Sequence, residues 1–244
     1  MTGASNPGNQ FDSKAYLVLG SKPWNRRLFD ELLSKLDGRW SYMGEPAQLS
    51  ASSVSRIAPR YIFSLHWSWR VPAEIINNFE CVCFHMTDVP YGRGGSPLQN
   101  LIARGHRDTK LTALRMTEQF DAGSVYLKET LSLDGTAEEI YIRATRLAGS
   151  MMKRIILEEM APVPQEGAVT NFKRRTPEES RIRTSASLKN LYDFIRMLDA
   201  EGYPRAFLDH EGFRLEFSRA ALYDGRIVAD VTITQLAKND RIQK

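Results

Sequence analysis

Uninterrupted apolar runs alternate with helical periodicity along the first part of the chain. Residues 15–20 (AYLVLG) carry no charged or amide side chain, as a strand buried on both faces requires. Behind them, Trp24, Leu28, Leu32 and Leu36 recur at helical spacing, and Gly38 supplies a stop. Residues 61–65 (YIFSL) and 81–85 (CVCFH) repeat the buried-strand pattern, with a short helical piece, PAEIINNF, between them. Strands alternating with helices predict a doubly wound, mostly parallel sheet.

Further along, the pattern predicts an amphipathic helix near residues 97–104, then strands over TKLTALRM and GSVYLKETLSL. A long helix follows over 137–160, where Thr136 and Glu139 form a capping box and Ile140, Ala144, Leu147, Met151 and Ile155 make one apolar stripe. Residues 161–187 are polar, charged and broken by proline, the composition of a surface linker. Beyond them come one helix, LKNLYDFIRMLDA, and two strand-like runs, FRLEFSRAAL and RIVADVTITQL, joined by the hairpin signal YDG. The expected fold is therefore α/β: a Rossmann-like, mostly parallel sheet with helices on both faces, plus a small C-terminal α+β subdomain. The expected division is a main domain over 1–170, a linker over 171–187 and a small domain over 188–244.

Bulk properties narrow the partners. The chain has 244 residues and a net charge of +4, a mild excess that does not build a nucleic-acid-coating surface. Its two cysteines, Cys81 and Cys83, fall on one face of a single strand, which argues against a disulfide framework and for a reducing compartment. No apolar run approaches the roughly 20 residues that span a bilayer. The opening MTGASNPGNQFDSK lacks the basic and hydrophobic blocks of a signal peptide. These features predict a cytoplasmic protein with a short flexible N-terminal tail and no membrane contact.

The chemistry concentrates in CFHMTDVPYGRGGSPLQN, residues 83–100. His85 falls at the carboxyl end of a predicted strand, where open α/β sheets form their ligand crevices, and a glycine-rich loop follows it. A lone histidine there is more often structural than functional, so its neighbours must decide. His66, His85, His106 and His210 show no paired ligand spacing, and no metal is expected.

The neighbours resemble one family. The histidine strand end, the loop PYGRGGSPLQN and the later LRMTEQFDAGSVYLKE, with Asp121 standing 36 positions after His85, resemble the 10-formyltetrahydrofolate-dependent formyltransferases. These include methionyl-tRNA and glycinamide-ribonucleotide formyltransferases. The likeness covers roughly residues 15–180 and makes 1–170 the expected catalytic domain. KRRTPEES, residues 173–180, is similar to a segment of amino-sugar formyltransferases, and FHMTDVPYGRGGSPLQNLIARG is most like bacterial sugar N-formyltransferases. In one departure, Cys83 stands where the family usually has asparagine.

The resemblance implies roles residue by residue. His85 would carry protons between the attacking amine and the departing folate nitrogen, and Asp121 would orient it. Cys83 joins the catalytic candidates because it replaces an oxyanion donor; a thiol donates poorly, so the His85 imidazolium, the Gly94 and Gly95 amides, Thr87 or Ser96 are the alternatives. The 10-formyltetrahydrofolate pocket would take Trp67, Ser68, Trp69, Arg70 and Val71, with Gly94, Gly95 and Phe120. Arg93, Ser96, Asn100, Arg174 and Arg175 would bind the acceptor, since guanidinium groups suit phosphates.

The expected acceptor is a nucleotide-linked deoxy-amino sugar, with GDP-4-amino-4,6-dideoxymannose (GDP-perosamine) the specific choice, in surface-glycan and O-antigen synthesis. No nucleic acid is expected as a partner, and the sequence admits a homodimer. Methionyl-tRNA formyl transfer is the competing enzyme reading, opposed by the modest charge and a C-terminal unit of under 60 residues. A non-catalytic module binding folate or a sugar nucleotide is the third, prompted by Cys83.

Overall fold

The computed structural model describes residues 12–183 and 185–236, so the predicted N-terminal tail falls mostly outside the described residues. The first strands and helices are β1 (Asp12–Gly20), α1 (Pro23–Glu31), β2 (Arg39–Met43), α2 (Ala51–Ile57), β3 (Pro59–Leu65), α3 (Ala73–Asn78) and β4 (Cys81–His85). There follow β5 (Arg93–Gly94), α4 (Pro97–Ala103), β6 (Asp108–Arg115), β7 (Val125–Ser132), α5 (Ala137–Leu157) and β8 (Asn171–Phe172). The described chain ends with α6 (Leu188–Arg196), β9 (Ala206–His210), β10 (Phe213–Tyr223) and β11 (Arg226–Gln235).

Six strands form one sheet in the order β2-β1-β3-β4-β6-β7. β2, β1, β3 and β4 pair in parallel, and β6 joins β4 antiparallel with His85 opposite Thr112. This is the predicted α/β, mostly parallel architecture. Its core is dense with branched and aromatic side chains: Leu17, Leu19, Ile62 and Phe63 are wholly buried. β9, β10 and β11 form a separate antiparallel sheet against which α6 packs.

The described residues divide into two compact units. One takes those up to Arg93 together with Lys110–Glu129 and Ala144–Val169; the other takes Gly94–Thr109, Thr130–Arg143 and those from Thr170 onward.

Several elements differ from the sequence pattern, each for a local reason. The helix expected through Leu36 ends at Glu31, because Leu32 leaves helical geometry at φ −126° and ψ −62°. A 3-10 turn over Leu33–Lys35 then buries Leu33, while Leu32 faces outward. β2 and α2 were not legible: β2 is an edge strand with mixed burial, and α2 is a serine-rich run anchored by Val54. Ser50 rescues it as a helix by accepting the Ser53 N–H at 3.1 Å. β9 also escaped detection, its five residues AFLDH ending in two polar ones.

The long helix does begin at a reciprocal cap. The Thr136 N–H donates to Glu139 Oε2 at 2.8 Å and the Glu139 N–H to Thr136 Oγ1 at 3.3 Å. Residues 161–183 and 185–187 are pinned at several points. Val163 and Val125 exchange both backbone hydrogen bonds at 2.7 and 2.8 Å, β8 follows, and a 3-10 turn covers Pro177–Ser180.

Candidate active site

His85 closes β4 at the carboxyl edge of the parallel strands and is only 8% exposed. Its Nε2 lies 2.8 Å from the Gly92 carbonyl oxygen, and its Nδ1 lies 3.5 Å from Oδ1 of Asp121. A carbonyl only accepts, so Nε2 carries a proton and the ring meets the carboxylate through Nδ1. The Gly92 carbonyl also accepts from Thr87 Oγ1 at 3.2 Å, and the Thr87 carbonyl accepts from Thr112 Oγ1 at 2.7 Å. The loop after β4 is therefore tied to both the histidine and the neighbouring strand.

Asp121 sits at φ +54°, in the left-handed region that aspartate tolerates better than most residues. Two residues on, Gly123 explains the Asp-x-Gly spacing: a Cβ there would lie 1.8 Å from the Arg115 carbonyl oxygen. Only a glycine lets this loop cross the end of β6 so closely.

A residue overlooked in the sequence completes the loop. Gln165 Nε2 donates to the Asp121 and Gly123 carbonyls, both at 2.8 Å. Its Oε1 accepts from Arg93 Nε at 3.1 Å and Nη2 at 2.8 Å. Gln165 lies in the stretch read as a linker, and polarity gave no sign of it; the Val163 bridge two residues earlier is what brings it in.

Cys83 packs against Val89, Leu114 and Val125. Burial pushes its thiol well above the ordinary range, and the Asp121 charge adds to the effect. Such a group is a thiol, poorly suited to act as a nucleophile. Cys81 is likewise pushed up to about 12 by burial, and the two cysteines are free.

The candidates from 67 to 71 separate by exposure. Val71 joins the core with Leu17 and Ile75, whereas Ser68 and Arg70 are exposed. Trp67 and Trp69 meet edge to face with ring centroids 4.9 Å apart; Trp69 is 41% exposed, and the buried Trp67 Nε1 has no hydrogen-bond partner among the described residues. An orphaned indole N–H beside an accessible aromatic face suits a heteroaromatic ring bearing acceptors. Phe120 is 70% exposed.

His66, at the end of β3, has a different character. Its Nδ1 is approached by Trp24 Nε1 at 3.4 Å, Asn25 Nδ2 at 3.3 Å and Thr145 Oγ1 at 3.4 Å. Burial, aided by the Lys22 charge, pushes this imidazole down to about 4.

The remaining candidates belong to the second unit. Gly94 has φ +102°, and a Cβ there would lie 2.6 Å from the Phe172 carbonyl oxygen. The Gly95 N–H donates to that oxygen at 3.1 Å. Ser96 Oγ accepts from the Arg175 N–H at 3.1 Å. Asn100 Nδ2 reaches the carbonyls of Gly95, Ser96 and Lys173 at 3.0 to 3.2 Å, while Arg175 lies over the Phe194 ring and Arg174 is exposed. Among the described residues no cluster of three or more His, Cys, Asp and Glu is placed to hold a metal ion, and no helix is long and apolar enough to cross a membrane.

Comparison with known proteins supplies the context. Residues 177–234 match the family model for the C-terminal domain of methionyl-tRNA formyltransferase. The methionyl-tRNA formyltransferase of Mesoplasma florum is 24% identical over 183 residues, which cover 70% of this chain and 58% of that protein. The chain spans little more than half the length of the curated relatives it matches. A solved structure titled methionyl-tRNA formyltransferase from Clostridium thermocellum is 44% identical, covers 90% of this chain and 98% of its own, and superposes with a TM-score of 0.86. A 4-N formyltransferase from Francisella tularensis shares the fold at 15% identity and a TM-score of 0.63, covering 93% of this chain and 99% of its own.

These matches overturn the expected nucleotide-linked amino-sugar acceptor. The structure at 44% identity is named a methionyl-tRNA formyltransferase, whereas the 4-N formyltransferase is only 15% identical and shows the fold alone. The physical argument against nucleic acid also fails, because net charge is a whole-chain sum that does not report how charges are grouped.

Proposed function

The chain belongs to the formyltransferase family, and from that premise we propose that it moves a formyl group from 10-formyltetrahydrofolate to the amino group of methionyl-tRNA. The name carried by the structure at 44% identity supports this acceptor, as does the C-terminal match over residues 177–234. The single observation that carries the chemistry is the contact of His85 Nδ1 with Asp121 at 3.5 Å, at the strand edge where a ligand would meet it.

The folate supplies the formyl group. Trp67 and Trp69 would hold its ring system, and Phe120 offers a further exposed ring. When the amine nitrogen bonds to the formyl carbon, negative charge gathers on the formyl oxygen and the nitrogen must shed a proton. His85 takes that proton at Nδ1, where the Asp121 carboxylate stabilises the imidazolium, and returns it to the departing nitrogen. The hydroxyl of Thr87 and the N–H of Gly95 are already committed to carbonyls.

The test is direct. Full-length protein, 10-formyltetrahydrofolate and methionyl-tRNA are combined, and formyl-methionyl ester and tetrahydrofolate are both quantified. Equal amounts of the two products are expected, and their absence sinks the assignment.

A further inference from the structure

Gln165 has all of its hydrogen-bonding capacity in use, and every bond runs to a flank of the His85 and Asp121 pair. Its two N–H groups hold the carbonyls of Asp121 and Gly123, and its oxygen takes two N–H groups of Arg93. A glutamine offers two donors and two acceptor lone pairs, so the amide is saturated. Its orientation is also unambiguous: flipping the amide would set its oxygen against two carbonyls and its N–H groups against a guanidinium.

The two flanks matter differently. Asp121 is the carboxylate facing His85 Nδ1, on a backbone with φ +54°. Arg93 directly follows Gly92, whose carbonyl fixes His85 Nε2. One side chain thus joins the loop that presents the carboxylate to the loop that anchors the imidazole. The antiparallel exchange between Val163 and Val125 sets its place, two residues from Gln165 on one strand and two from Gly123 on the other. It also gives Arg93 a purpose other than contact with the acceptor.

We propose that Gln165 is a positioning residue for formyl transfer, a clamp that sets the distance between Asp121 and His85. The inference rests on the formyltransferase reading and adds a component to its site. Gln165→Glu is the informative variant. It keeps, and by charge strengthens, the bond to Arg93, but it turns a carboxylate oxygen toward the carbonyls of Asp121 and Gly123 and so drives that loop away. Gln165→Ala releases both loops.

Both variants are compared with wild-type full-length protein by steady-state formyl transfer, thermal melting and the NMR resonances of the His85 ring, with His85→Gln for assignment. A misplacement of about 1 Å costs up to about 100-fold in rate. The expected result is a fall of that order in kcat for both variants, KM for the folate within about threefold, and shifted His85 resonances. Gln165→Glu should show these changes while melting close to wild type. The clamp is overturned if kcat stays within twofold, or if activity falls only in step with lost folded protein while the His85 resonances stay in place. Should wild-type protein transfer nothing to methionyl-tRNA, the acceptor assignment fails, and the ring resonances still decide the clamp.

Discussion

The imidazole of His85 and the carboxylate of Asp121 face each other at 3.5 Å, although one residue ends a strand, the other lies in the loop between β6 and β7, and the histidine's other nitrogen is held by a backbone carbonyl. Positioned acid–base groups of this kind contribute about 10²- to 10⁴-fold in rate. His85→Ala should therefore lower kcat about 10³-fold. Asp121→Asn, which keeps the shape and loses the charge, should cost less, about 10- to 100-fold. Tetrahydrofolate release reads both, and near-normal turnover by the pair of variants would remove the proposed mechanism.

Cys83 is expected to be chemically silent. Its raised thiol and apolar surroundings predict that Cys83→Ala keeps kcat within about threefold and loses roughly 1 kcal/mol of stability from the vacated volume. Loss of activity by three orders of magnitude would instead reveal a covalent formyl-cysteine.

Gly123 is required by close approach. Gly123→Ala places a methyl 1.8 Å from the Arg115 carbonyl oxygen, so the loop must shift or the fold must yield. A loss of about 1–3 kcal/mol is expected in urea unfolding, the usual cost of overpacking. Formyl transfer should fall further than stability does, because Asp121 shares the displaced loop.

His66 makes stability depend on pH. Its imidazole is pushed down to about 4 in the fold, whereas an unfolded histidine titrates near 6.5. Between these values the unfolded chain binds the extra proton, so stability is full above about pH 6.5 and falls as pH drops toward 4. The interval corresponds to roughly 3 kcal/mol. His66→Gln, whose carbonyl oxygen can still accept from Trp24 and Asn25, should flatten the melting profile between pH 7 and pH 4.5. An unchanged slope would assign the acid sensitivity elsewhere.

Binding of methionyl-tRNA should weaken with salt. If two phosphates are neutralised, affinity falls about tenfold between 50 and 200 mM salt. A salt-independent Kd would argue against the nucleic-acid acceptor.

Strand β4 was legible because a short apolar run bounded by a turn-rich loop reads as a buried strand, whereas His85 stood out only through the resemblance of the segments around it. The cap of α5 was legible too, since Thr136 and Glu139 are local partners. β2 and α2 were not, because an edge strand and a serine-rich helix lack a strong period and owe their existence to the sheet beside them. The acceptor was misread because the amino sugar rested on the likeness of two short segments, while the objection to tRNA rested on net charge, which averages over the surface that would meet a ligand.

The sequence by itself determined the parallel core, the strand end that presents His85, and the glycine that the Asp121 loop requires, because these follow from apolar runs and local backbone demands. Only the tertiary structure decided that Nδ1 meets Asp121, that Cys83 lies among Val89, Leu114 and Val125, and that Gln165 joins Arg93 to Asp121. The polar contacts of His85 with Asp121 and of Gln165 with Asp121 and Arg93 span 36 to 72 positions, and contacts between such distant residues depend on how strands and loops are brought side by side, which no local pattern records.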